Sequence, residues 1–360
     1  MKEKKDPPHL PARACRVDTH YRLRSLRWTV FLIFVAFISG TSAALSTVAW
    51  LAPAVVQSNA YYPTARESHL FTTNKPDSLF EHQVGQKILK IYDKNKKVGK
   101  NFYDKDSLVF NSALLSSDGW GVANYSKYNA GAEKYWEVVD SQGLYYDVEK
   151  VIYDSVSELL YIKVAGQGFR LNSFSEWSDL SVGNNYWALT NGGWQEVSLG
   201  NLIATDKNKA QLIWRPQYFY SVWQDLVEGS LLFDSKGSLV GVVDGEKLLR
   251  PAWLIEGRIN SLLDLGQISY YGLDWRGYMI DGVESEGKWK KLSGFYISDV
   301  DSVATTSTVG FGDVVFKING ETIKEKFLAA QLFSEPDVFS VSIWRAGEEM
   351  DIEVTKVKVF

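Results

Sequence analysis

A run of 38 residues without a charged side chain, Trp28 to Ala65, most limits what this 360-residue chain can fold into. It opens WTVFLIFVAFISGTSAALSTVAWLAPAVV. About 20 apolar residues cross the hydrocarbon core of a bilayer, so residues 28–56 are expected to form one transmembrane anchor, with a tryptophan near each interface. Residues 1–27 carry eight Lys or Arg against three acidic residues. A basic flank stays in the cytoplasm, which places the main body on the far side of the cytoplasmic membrane. The competing reading is a signal peptide cut near Ala43–Ala44 or Asn59–Ala60. The apolar run is longer than a signal core and follows a long leader, which favours the uncleaved anchor. Residues 57–79, polar and mixed, are expected to be a tether.

Composition places the rest among folded β-rich proteins. Hydrophobic residues make up 45% and charged ones 23%, with 13 Trp, 19 Tyr and 18 Phe against 9 Pro. A net charge of -4 argues against nucleic acid as a partner, because phosphate binding needs a basic footprint. The single cysteine, Cys15, excludes an internal disulfide and a cysteine-rich metal site. It reads as a free thiol, with membrane-proximal palmitoylation as the alternative. The four histidines are His9, His20, His69 and His82, so nothing beyond residue 82 carries an imidazole.

From residue 80 to 262 the pattern is short apolar or alternating runs separated by Gly, Asn, Asp and Ser clusters. Strands are expected at Gln86–Tyr92, Leu108–Leu115, Glu137–Val139, Val148–Tyr153, Leu159–Val164, Tyr186–Thr190, Gln211–Trp214 and Ser238–Val243, with hardly a helical period among them. Such spacing suits an antiparallel barrel or a sandwich, and length does not decide between them. Residues 265–360 form a second strand-rich unit with one helical stretch, Ile323–Phe333.

In that second unit, Gly310-Phe311-Gly312-Asp313-Val314-Val315-Phe316-Lys317-Ile318-Asn319-Gly320-Glu321 reads as a turn, a buried strand and a tight Asn-Gly turn. It resembles the core of PDZ domains, and a helix and two strands (Val338–Trp344, Met350–Val357) follow in order. About forty residues upstream, Tyr270-Tyr271-Gly272-Leu273 is similar to the PDZ carboxylate-binding loop. The resemblance implies that backbone amides of Tyr271, Gly272 and Leu273 hold a peptide's terminal carboxylate while the peptide adds as a strand beside the helix. The insert Asp281–Leu292 is expected to alter that groove. The bland reading of Tyr270–Leu273 is an ordinary strand entry.

An anchor, a strand-rich unit and a PDZ-like unit together resemble the HtrA (Deg) family of envelope serine proteases. Four segments carry the resemblance in order: Asn111–Ser126 (NSALLSSDGWGVANYS), Asp154–Val164 (DSVSELLYIKV), Ser181–Thr190 (SVGNNYWALT) and Gly229–Val243. It implies a mostly β chain: an N-terminal transmembrane helix, a trypsin-like double β-barrel over 80–262, then a PDZ domain over 265–360. The three catalytic positions it assigns carry other residues. Ser126 stands where the histidine base belongs, Glu158 where the aspartate belongs, and Glu228 where the nucleophilic serine belongs. Leu226 replaces the glycine of the oxyanion hole. A serine hydroxyl needs an adjacent base to take its proton, and a glutamate at 228 would repel the charge of a tetrahedral intermediate. The expectation is a pseudoprotease.

Substitute chemistry finds little support. Ser126-Lys127 are neighbours on an expected strand, so their side chains would point to opposite faces. Glu158 and Glu228 would lie near each other, but no third metal ligand with suitable spacing is present, and no cofactor motif appears. The run Lys94–Lys100 reads as a charged hairpin tip, with polyanion or membrane contact as the minority reading. The function expected is therefore binding of protein or peptide C-termini through the PDZ groove. The alternatives are an active serine endopeptidase using Ser230 and a structural role in a homo-oligomer. The family's trimer contacts are aromatic and near the start of the protease domain, which points to Phe80 or Phe102.

Overall fold

A computed structural model describes residues 75–359 except 206–209, 286 and 301–308, together with residues 30, 31, 33 and 36, which are helical. The basic tail, Cys15, nearly all of the expected anchor and both expected cleavage sites lie outside the described residues. Among the described residues no helix is long and apolar enough to cross a membrane. Residues 73–360 form one compact unit.

Where a tether is expected, helix α1 (Ser78–Gly85) begins, because Asp77 caps the free N–H of Phe80 at 2.7 Å. Nine strands follow: β1 (Ile88–Asp93), β2 (Lys97–Val98), β3 (Phe102–Tyr103), β4 (Leu108–Leu114), β5 (Trp120–Ala123), β6 (Trp136–Val139), β7 (Tyr145–Tyr146), β8 (Val148–Asp154) and β9 (Leu159–Val164). Seven of them form one sheet in the order β7-β6-β1-β4-β5-β9-β8, while β2 and β3 make a separate hairpin. That hairpin is the expected lysine-rich tip, and Lys97 pairs with Glu137 at 2.7 Å.

The next half contains β10 (Asn185–Thr190), β11 (Gly193–Ala204), β12 (Gln211–Leu212), β13 (Tyr218–Val222), β14 (Leu231–Phe233), β15 (Leu239–Val243) and β16 (Leu248–Pro251). All but β12 close into a six-stranded barrel. Closure is therefore seen in the second half, whereas the first is an open path of strands. The barrel reading thus holds for the second half. Helix α2 (Ala252–Leu265) corrects the expectation of an almost helix-free chain. Pro251 precedes its first turn and Gly266, in the left-handed conformation at φ 59°, ends it. Ile255 and Leu262 of α2 join Val122, Leu159, Leu231 and Leu239 in one apolar cluster that ties the sheet to the barrel.

The last part contains β17 (Tyr271–Gly272), β18 (Trp275–Ser285), β19 (Lys288–Val300), β20 (Val314–Ile318), β21 (Glu321–Thr322), helix α3 (Leu328–Ser334), β22 (Val338–Arg345), β23 (Glu348–Thr355) and β24 (Val357–Lys358). The Asn-Gly turn joins β20 to β21, with both Asn319 (φ 46°) and Gly320 (φ 80°) left-handed as such a hairpin requires. The insert 281–292 lies in the long β18–β19 hairpin. The helix is shorter than expected: residues 325–327 form a 3-10 turn and Phe327 leaves helical geometry before α3 starts. One strand changes partner. Gln211–Leu212 leaves the barrel and pairs with β18 of the C-terminal sheet.

Candidate functional site

β5 ends at Ala123, and Asn124 carries the chain into a turn because its side-chain amide donates to the Glu158 carbonyl at 2.7 Å. Ser126 and Lys127 therefore sit in that turn and not on a strand, which corrects their expected placement. The Ser126 backbone N–H donates to the Glu228 carboxylate. Gly229, at φ 81°, follows directly, and a side chain there would stand 2.8 Å from the Asn124 carbonyl. Close packing thus joins the 124–126 turn to the 228–229 turn. Burial, and after it the charge of Glu228, raises the phenol of the intervening Tyr125 above its usual range.

Glu158 adopts φ 60°, a costly conformation for a residue with a Cβ. It is held at both ends: its carbonyl by Asn124 and its carboxylate by Arg250. Arg250 also reaches the buried Asp244 at 2.9 Å, and its guanidinium lies 4.4 Å from the Phe219 ring. Glu158 and Glu228 thus have separate partners, an arginine and a backbone amide. Among the described residues no group of three His, Cys, Asp or Glu is placed to hold a metal. Leu226 is buried in the barrel's apolar cluster. Ser230 is buried too, and its hydroxyl donates to the Val227 carbonyl at 2.6 Å. His82, the one imidazole among the described residues, is on α1, where it meets the Gln86 side chain.

Tyr270 is fully buried, and its hydroxyl donates to the Asp154 carboxylate. Asp154 also accepts from the Val156 N–H at 3.0 Å and the Ser157 hydroxyl at 2.5 Å. The Arg258 guanidinium of α2 lies between two rings, 3.5 Å from Tyr270 and 4.2 Å from Phe333. Burial, reinforced by Asp154, raises the Tyr270 phenol far above the ordinary value. The Tyr270 side chain thus braces the first sheet against α2. Tyr271 and Gly272 form β17 with β24, while Leu273 is buried in the C-terminal apolar cluster. Of the two trimer candidates, Phe80 packs on its own chain, 5.7 Å from the Trp194 ring, and Phe102 is exposed. Sequence reasoning missed Asp244, Arg250 and Arg258; buried charges of this kind reveal themselves only through partners far away in the chain.

No family model matches the chain, and no curated protein does. Solved structures do. AlgW, an HtrA-type protease, in complex with a tripeptide is 14% identical over 78% of this chain and 96% of that chain, with a TM-score of 0.51. AlgW with a decapeptide is 14% identical over 78% and 97%, with a TM-score of 0.49. The serine endoprotease from Yersinia pestis is 14% identical over 79% and 100%, with a TM-score of 0.41. The first of these carries the comparison: the chain has the mostly β, trypsin-like fold of HtrA-type proteases. At this identity the likeness is one of fold.

Proposed function

We propose that this chain is a non-catalytic HtrA-like pseudoprotease, anchored in the cytoplasmic membrane through residues 28–56 with its N-terminus inside. Its C-terminal unit acts as a PDZ domain that binds the C-termini of envelope proteins. It serves there as a scaffold, adaptor or regulator in protein quality control.

The observation that carries this reading is the Glu228 carboxylate accepting the Ser126 N–H, at the two positions where the resemblance requires a nucleophile and its base. A carboxylate cannot serve as the acylated hydroxyl, and a serine cannot take its proton. Loss of triad members costs on the order of 10⁴- to 10⁶-fold in rate. Ser230 does not fill the gap, since its buried hydroxyl already donates to Val227.

The test is fluorophosphonate labelling and casein cleavage by the full chain in detergent, with Ser230→Ala as control. No labelling is expected in either form. Labelling that disappears in the Ser230→Ala variant would establish the endopeptidase instead.

A further inference from the structure

A peptide that binds by strand addition needs a free sheet edge. In the C-terminal sheet the edge of β18 opposite β19 is the one beside the Tyr270–Leu273 loop, and the chain itself occupies it. Residues 210–217, ahead of β13, form an arm off the barrel, and at its base the Thr205 N–H donates to the Gln217 carbonyl at 2.9 Å. Within the arm, β12 runs antiparallel to β18, with Gln211 opposite Gly277 and Leu212 opposite Arg276. The Ile213 N–H extends the ladder, donating to the Trp275 carbonyl at 2.9 Å.

This polarity carries the arm toward the loop, as a C-terminal ligand would run. Ile213 is fully buried, in the same apolar cluster as Leu273 and Trp275 and as Leu328 and Leu332 from the start and middle of α3. It comes from the barrel, yet it is core of the other unit. Trp214 then covers the loop: its ring is 5.2 Å from that of Tyr270, and its Cβ would lie 2.9 Å from a side chain at Gly272. The Arg215 N–H donates to the Leu212 carbonyl at 3.0 Å, which turns the chain away. Ile213 thus occupies the place of a ligand's last side chain, and Trp214 the space its carboxylate would need.

We propose that the groove is loaded in cis: Gln211–Trp214 is an internal ligand, and an outside partner is an extended chain end with an aliphatic last residue that must displace it. This rests on the peptide-binding reading of the C-terminal unit. The same arm walls a cleft of about 370 Å³ whose other lining includes Phe219, Arg250 and Arg276. Displacing it would widen that cleft beside Arg250 and leave the barrel, which does not include β12, closed.

The probe is an octapeptide with the sequence of residues 206–213, DKNKAQLI, ending in a free carboxylate. In the full chain the Ile213 amide is expected to resist hydrogen exchange and to lose that protection when the probe is added. Ile213→Asp is expected to bind the probe about tenfold more tightly or better, since the groove then no longer spends most of its time closed. The wild-type exchange measurement stands even where that variant fails to fold. Rapid exchange at Ile213 without probe, or equal affinity of the two forms, overturns the cis loading and leaves the peptide-groove reading intact. A protected Ile213 amide with no probe binding by either form sinks the peptide-groove reading, and the displacement with it.

Discussion

Replacing Tyr270 by Phe deletes a single oxygen, yet the hydroxyl it removes donates to a carboxylate with almost no access to water. Asp154 would keep the Val156 N–H and the Ser157 hydroxyl and lose its third donor. Hydrogen bonds to charged groups contribute about 1.5–3 kcal/mol, against about 1 kcal/mol for neutral pairs. Tyr270→Phe is therefore expected to cost about 2 kcal/mol. Tyr220→Phe is the internal standard, because the Tyr220 hydroxyl donates to a neutral acceptor, the Leu180 carbonyl, at 2.9 Å; it should cost about 1 kcal/mol. Unfolding entropy is roughly 2.1 cal/mol/K per residue, or about 0.6 kcal/mol/K over the unit of residues 73–360. The two variants should then melt about 3 °C and about 2 °C below wild type. Urea unfolding at constant slope gives the free energies directly. A Tyr270→Phe loss no larger than that of Tyr220→Phe would refute the idea that Asp154 is a buried charge dependent on the tyrosine.

The Arg250 cluster makes a second comparison: Arg250→Met leaves Asp244, whose side chain is 4% exposed, with two backbone N–H donors but no opposite charge, and should cost about 3 kcal/mol. Glu158→Gln removes only a half-exposed partner and should cost less than about 1 kcal/mol by the same urea measurement; the reverse order would overturn the assignment. At alkaline pH, burial pushes the Tyr220 phenol from its ordinary value of 10.0 up to about 12, and the hydrogen bond to Glu325, ahead of burial, does the same for Tyr218. A raised folded value means that stability is complete below about pH 10 and is lost as pH climbs toward about 12. The share of the phenolate absorbance that disappears in the Tyr218→Phe and Tyr220→Phe variants should therefore lag behind that of free tyrosine and rise together with loss of circular dichroism; finding that share near pH 10 with the fold intact would contradict this.

Local patterns were legible in the sequence wherever a local cause decides the structure. Alternation placed β1, β4, β8 and β9 within a residue or two, and Asn319-Gly320 fixed its own hairpin. The helix α2 was not anticipated, although Pro251 and Gly266 mark its two ends. Long-range choices were not legible. Gln211–Trp214 has strand composition, but nothing local says that its partner lies in another unit, at Trp275–Gly277. Likewise the Tyr270–Leu273 pattern suggests a loop chemistry, while the fate of the Tyr270 side chain depends on Asp154, far earlier in the chain. At the candidate site the residue types were evident, and their pairing was not: Arg250, which holds Glu158, lies outside every segment that carried the resemblance.

Ile213 leaves the ribosome long before the strands that will bury it. At about 5–20 residues per second, on the order of ten seconds separate its synthesis from that of Ile343 and Val354 in its cluster. Through that interval the barrel can close while Leu212, Ile213 and Trp214 stay bare to solvent. Newborn chains thus pass through a sticky stage, when holdase chaperones and neighbouring copies compete for the apolar arm, and maturation ends only as the final hairpin arrives.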